Sequence, residues 1–263
     1  RPRRRAQGPG PPNKAALSDS VARELTVGRR TAPRIGFQSL LAREIQKRPD
    51  RFQGLAALPI QDPDLAIREL ERSIRELGFK GVLVNGFSQT GDPDAILYYD
   101  LPQYRPFWKV LEELDVPFYL HPRNPLPQDA RIYKGAEWLL GPIWAFGHET
   151  AVHALRLMGS GLFDKHPKLQ IILGHMGEGL PYQRWRFDSR FAVYSHVVRL
   201  ARAPSEYIGT NIVITTSGVC SHGALAGAIA ELGAEAVMFS VDYPYESTEV
   251  AAKFIEDAPL DDT

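Results

Sequence analysis

Short uninterrupted apolar runs, alternating with amphipathic helical segments, restrict this chain to a parallel α/β architecture. The runs are Gly54–Leu58, Gly81–Asn85, Pro117–His121, Gln170–Gly174, Asn211–Thr215 and Ala236–Ser240. None alternates strictly between apolar and polar residues, which is the pattern of strands buried on both faces. The clearest helix between them is DPDLAIRELERSIRELG, residues 62–78. Asp62 is placed as its N-cap, Pro63 as the first helical residue, and Ile67, Leu70, Ile74 and Leu77 form one apolar stripe before Gly78 ends it. Further helices are expected over 106–114, 150–162, 181–200, 224–232 and 248–257. Strictly alternating strands and helices imply a parallel sheet with right-handed crossovers. Six strands fall short of the eight of a closed (β/α)8 barrel. An open doubly wound sheet could hold six, but no glycine-rich phosphate loop follows the first of them, so dinucleotide binding has little support.

In parallel α/β proteins chemistry collects where strands end at their C-terminal side. One strand ends in His121 and continues Pro122-Arg123-Asn124; another runs through Gly174 into His175-Met176-Gly177-Glu178-Gly179. A third leads into Thr216-Ser217-Gly218, and the last passes through Val241 to Asp242, then Tyr243-Pro244-Tyr245-Glu246. Two histidines and an aspartate thus finish three strands at one mouth. Imidazole nitrogen with carboxylate oxygen is a ligand set for a borderline divalent metal, zinc first and manganese next. His222 follows the Ser217–Gly218 loop and is a candidate for contact with a bound substrate. For each residue a bland alternative stands beside the functional one. A lone strand-end histidine is commonly a hydrogen-bonded structural group, Glu178 is an acid favoured near a helix start, and Arg184, Arg186 and Arg190 could form a solvated helix face.

Composition narrows the function classes. The 31 basic and 31 acidic residues cancel, which removes the field that would favour nucleic acid or an anionic membrane. A single cysteine, Cys220, excludes an intrachain disulfide framework and a multi-thiolate metal site, and suits a reducing cytoplasm. No run of 18 apolar residues is present that would span a membrane. Residues 1–35 differ from the rest: they are rich in Arg, Pro and Gly, almost without apolar periodicity, and are expected to be a disordered lead. Residues 36–263 are expected to form the folded domain.

The segments VPFYLHPRNP (116–125), WAFGHETAVHALRLMGSGLFDKHPKLQIILGHMGEGLPYQRWRFDSR (144–190) and VMFSVDYPYES (237–247) resemble the amidohydrolase-related aromatic decarboxylases. That family includes the 2,3-dihydroxybenzoate, γ-resorcylate and salicylate decarboxylases, and the similarity runs from about Gln46 to Pro259. The resemblance implies a (β/α)8 barrel of the TIM type, a homo-oligomer, and one divalent metal, zinc first, with manganese or magnesium as alternatives. It also implies non-oxidative removal of CO2 from a small aromatic hydroxy acid, here expected to be like 2,3-dihydroxybenzoate. By the same resemblance His121 and Asp242 match metal ligands, and Asp242 also matches the acid that protonates the ring. His175 and Glu178 match the pair that orients substrate and proton-transferring groups. Arg186 matches a partner for a polar substituent or a neighbouring subunit.

The family's first strand carries a Glu-x-His or Glu-x-Ala element, and no counterpart occurs before Gly36. The six strands therefore match strands three to eight, and the expectation is an incomplete barrel truncated at its N-terminal side. Two other readings stay open: a metal-dependent hydrolase of a lactone or ester, and a catalytically inactive fragment that acts only by association with an intact homologue.

Overall fold

The computed structural model describes residues 31–89, 95–194 and 196–260. The expected lead lies outside the described residues as far as residue 30, and residues 31–35 open helix α1, Thr31–Gln46. Helix α2, Pro63–Arg75, begins as its sequence dictates: the Asp62 side chain accepts the Leu65 N–H at 3.0 Å, and Gly78 takes the left-handed φ of 73° just past the end.

Five of the six apolar runs form one parallel sheet: β1 (Val82–Asn85), β2 (Phe118–His121), β3 (Ile171–Leu173), β4 (Ile212–Thr215) and β5 (Val237–Met238). Their spatial order is their order in the sequence. A doubly wound sheet reverses its strand order part-way, whereas steady progression is the arc of a barrel. In register, Asn85 lies opposite His121, Leu120 opposite Leu173, Leu173 opposite Ile214, and Thr215 opposite Met238. The sixth run, Gly54–Leu58, is reduced to a single parallel bridge from Ala56 to Val82. Two alanines at its centre and Pro59 directly after it explain the shortfall, because alanine is a weak strand former and proline cannot donate to a ladder. Among the described residues, β5 is the opposite edge of the sheet.

The connections are helical: α3 (Arg105–Glu113), α4 (Ala145–Gly159), α5 (Leu162–Lys165), α6 (Arg184–Tyr194), α7 (Pro204–Tyr207), α8 (His222–Leu232) and α9 (Thr248–Glu256). Helix α4 starts at Ala145, earlier than the expected Thr150, and α6 is shorter than the expected 181–200. Helices α8 and α9 are capped by Ser221 and Ser247, whose side chains each accept a backbone N–H at 3.3 Å, from Ala224 and Val250. No helix among the described residues is long and apolar enough to cross a membrane.

The main core sits between β1–β4 and the helices that cover them. Val82, Phe118, Leu120, Ile171, Leu173 and Ile212 meet Leu70, Phe107, Trp108, Leu111, Leu157 and Phe163, all buried. Trp108 donates its indole N–H to the Tyr99 carbonyl at 2.8 Å, satisfying the polar edge of a ring otherwise lost in the core. A smaller cluster of Met176, Ile214, Leu225, Ala228 and Phe254 joins β4 to α8 and α9.

Candidate active site

Alternation along β2 decides which of its side chains face the site. Phe118 and Leu120 are buried in the core, so Tyr119 and His121 point to the other face and stay partly accessible. His121 Nδ1 lies 3.1 Å from the Pro122 carbonyl, which can only accept; Nδ1 therefore carries the proton and Nε2 keeps its lone pair. Burial, helped by the nearby His175 charge, holds the His121 pKa below its ordinary value, so the ring stays neutral and its free nitrogen is available to a ligand.

The chain after β3 does something unusual. His175, Met176, Gly177, Glu178 and Gly179 all carry positive φ, at 50°, 57°, 72°, 53° and 80°. A left-handed conformation costs roughly 1–2 kcal/mol for each residue with a Cβ, so His175, Met176 and Glu178 are held there against their own preference. The strained turn folds Glu178 back onto His175: its Oε1 accepts from Nδ1 at 2.6 Å. Hydroxyls anchor the turn from below. The His175 N–H donates to Ser217 Oγ at 3.1 Å, and Ser217 Oγ in turn lies 2.9 Å from Thr215 Oγ1 and 3.4 Å from Tyr119 Oη. Gly174 must lack a Cβ because one would come within 2.7 Å of Tyr119 Oη and 2.9 Å of Ser217 Oγ.

With Nδ1 committed to Glu178, His175 turns Nε2 toward Asp242, whose Oδ2 is 3.7 Å away. The rings of His121 and His175 are 6.3 Å apart between centroids, at 69°. Burial opposes the imidazolium of His175, yet the Glu178 hydrogen bond and the charges of Glu178 and Asp242 outweigh it and raise its pKa. Asp242 is itself at positive φ, 73°, a conformation Asp tolerates better than most residues. Gly218, at φ 68°, lies beside the pair: a Cβ there would be 3.3 Å from His175 Cδ2 and 3.6 Å from Asp242 Oδ2. One neutral and one protonation-prone imidazole, two carboxylates and a hydroxyl cluster therefore share the C-terminal mouth of the sheet.

His121, His175, Glu178 and Asp242 are brought together as the sequence places them. Arg186 and His222 are not. Arg186 is exposed on α6 and lines an apolar groove with Met158, Phe187, Phe191 and Leu200, which contains none of the strand-end group. His222 opens α8 with its Nε2 donating to the Phe254 carbonyl at 2.9 Å and its ring stacked on Phe254, so it ties α8 to α9. Tyr119, Ser217 and Gly218 complete the site. Tyr119 stands two residues before His121 in the same strand, a spacing that puts both on one face.

The donor chemistry fits a divalent ion in part. His121 Nε2 and the Asp242 carboxylate are a nitrogen and an oxygen ligand of the right kind. Among the described residues, no group of three or more His, Cys, Asp or Glu side chains is arranged to hold a metal.

The profile of the family described as Amidohydrolase matches residues 7–262. The chain belongs to the amidohydrolase family. Its α/β architecture is accordingly that family's (β/α) barrel, of which the described residues form an arc of five strands. Among amidohydrolase relatives, a gamma-resorcylate decarboxylase of Rhizobium sp. (strain MTP-10005) is 61% identical over 215 residues, covering 81% of this chain and 66% of that protein. A gamma-resorcylate decarboxylase of Polaromonas sp. (strain JS666) is 54% identical over 247 residues, covering 93% of this chain and 74% of that protein. A solved dihydroxybenzoic acid decarboxylase from Polaromonas sp. JS666, with bound manganese and the inhibitor 2-nitroresorcinol, superposes with a TM-score of 0.83 at 56% identity. That superposition covers 86% of this chain and 68% of the other. This amidohydrolase chain spans about two thirds of the length of the first of these relatives.

Proposed function

We propose that this site removes CO2 non-oxidatively from an ortho-hydroxybenzoate, with 2,6-dihydroxybenzoate (γ-resorcylate) as the substrate. The observation that carries the reading is His175, fixed between Glu178 at 2.6 Å and Asp242 at 3.7 Å beside the neutral His121. The relatives' names favour the 2,6-dihydroxy isomer and displace the 2,3-dihydroxybenzoate expected from sequence.

His121 and Asp242 would hold a divalent metal, which when bound supplies Lewis acidity and a template for the carboxylate and adjacent phenolic oxygen. Zinc and manganese both suit the donor pair, and the manganese in the Polaromonas structure makes it the ion to supply first. The remaining chemistry belongs to the chain. Asp242, as the carboxylic acid, delivers its proton to the ring carbon that bears the carboxylate. The carbon–carbon bond to CO2 then breaks, and its electron pair restores the aromatic ring. His175, whose proton affinity is raised by Glu178 and Asp242, would return a proton to Asp242 once the 3.7 Å gap closes, and would itself be reprotonated from water. Glu178 holds the ring of His175 in the tautomer and orientation this relay needs. The net change is uptake of one proton and release of resorcinol and CO2. The exposed rings of Trp138, Trp144 and Trp185 support a homo-oligomer, since large exposed aromatics are favoured at subunit contacts.

The test is product analysis with manganese supplied, across 2,6-dihydroxybenzoate, 2,3-dihydroxybenzoate and a panel of lactones. Resorcinol from the 2,6-isomer supports the reading. Lactone hydrolysis without resorcinol would replace it with a hydrolase, and no turnover of any of them would leave the inactive-fragment reading.

A further inference from the structure

Gly147, the third residue of α4, sits where nothing in its backbone calls for glycine. Its φ lies outside the left-handed range, so alanine could adopt the same conformation. Glycine inside a helix is less favourable than alanine, which makes its presence in the first turn of α4 a cost without a local return. What a Cβ at this position would meet is specific. It would stand 2.6 Å from Glu178 Oε2 and 3.6 Å from Glu178 Cδ, with no other side chain or backbone in reach.

From this geometry we infer that Gly147 is a positioning residue for the candidate active site: its missing Cβ is the space in which the Glu178 carboxylate stands to hold His175. The carboxylate has little other room. Its side chain is only 6% exposed, its backbone is locked in the left-handed turn at φ 53°, and its other oxygen is committed to His175 Nδ1 at 2.6 Å. A methyl group at 147 must therefore displace the carboxylate, whose other oxygen is already engaged by the imidazole. The displaced atom ends a flexible side chain, so the helix survives while the Glu178–His175 pair loosens.

The inference rests on the decarboxylase reading only for its effect on turnover, and two measurements separate the two. The first is a stability cycle by denaturant unfolding. Gly147→Ala should raise the unfolding midpoint clearly when combined with Glu178→Ala, because only helix propensity then changes. With Glu178 present it should raise the midpoint less, or lower it. Equal shifts in both backgrounds would overturn the inference, whatever the chain catalyses. The second is turnover of 2,6-dihydroxybenzoate. Gly147→Ala should lower kcat about 10-fold or more with KM little changed. Added to Glu178→Asp, whose carboxylate is one methylene shorter, it should cause no further loss. Full kcat in Gly147→Ala would equally overturn the inference. A parent chain that turns over none of the hydroxybenzoates counts against the proposed reaction, and the stability cycle then decides the inference alone.

Discussion

The strand ends that bear His121 and His175 and the strand end that bears Asp242 face the same mouth but are supported very differently. Strands β2 and β3 run through the main core, where Phe118, Leu120, Ile171 and Leu173 are each 0% exposed. Strand β5 is two residues long and lies at an edge of the described sheet, with Met238 37% and the following Phe239 48% exposed. Asp242 is therefore placed less by packing than by a few hydrogen bonds. Thr216 N–H donates to the Met238 carbonyl at 3.0 Å, Thr216 Oγ1 donates to the Ser240 carbonyl at 3.0 Å, and Ser240 N–H donates back to Thr216 Oγ1 at 3.0 Å. Beyond Asp242, the Tyr245 and Glu246 N–H groups close on its carbonyl at 2.9 and 3.1 Å. The two histidines belong to a floor packed into the main core, and the aspartate to an edge that loop contacts hold in place.

The largest effect should come from the chemistry at that edge. Asp242→Asn keeps the shape but removes the proposed proton donor, and turnover should fall roughly 10²–10⁴-fold. Retention of most activity would remove Asp242 from the acid role. Next come the supports. Phe118→Ala in the floor should cost about 3–5 kcal/mol of stability, whereas Met238→Ala at the edge should cost below about 1 kcal/mol. Comparable losses in denaturant unfolding would break the contrast between the two regions.

The floor also has an acid limit. His153, on α4, is 0% exposed, accepts the Tyr99 N–H on Nε2 at 3.1 Å and leaves Nδ1 without a partner. Burial, with the nearby Arg156 charge, depresses its pKa from 6.5 to about 3. Because the unfolded chain binds this proton more readily, the contribution to stability is full above about pH 6.5 and is lost as pH falls toward 3. By pH 5 the loss should be about 2 kcal/mol. His153→Gln, which does not titrate, should show a flatter decline, and parallel pH curves would contradict the assignment. A further test of the edge is Thr216→Val, which unpairs Ser240 at a cost of about 1–2 kcal/mol. It should lower turnover disproportionately, since what it loosens is the approach to Asp242. A stability loss with unchanged kcat would show that the edge does not set the aspartate.

How much of this was legible in the sequence follows the same division. His121, His175 and Asp242 could be read because each stands at or just past the end of an apolar run, and a strand's direction carries such residues to the mouth. The parallel sheet was legible in the alternation of strands and helices, and its barrel form only through the family resemblance; the Gly54–Leu58 run was not legible as a mere bridge, since its alanines count as apolar without favouring a strand. The left-handed turn was hinted at only by Gly177 and Gly179; that His175, Met176 and Glu178 share the conformation depends on contacts from Ser217 and the small core around Met176. Where the His222 ring points was not legible. It follows the Gly218 loop in sequence, but α8 begins at this residue and sends its ring to Phe254 on α9. Arg186 carries a motif match, yet rotation about α6 sets which way it points, and no spacing in the sequence fixes that rotation.

The floor and the edge must meet at one centre for the account to hold, and manganese binding tests both at once. The measurement is titration of the purified chain with manganese, followed by the electron paramagnetic resonance signal of the free ion, for the parent, His121→Ala and Asp242→Asn. The account predicts about one bound ion per chain in the parent, weakened strongly by either substitution. Binding unchanged in both variants, or no binding in the parent, would contradict it.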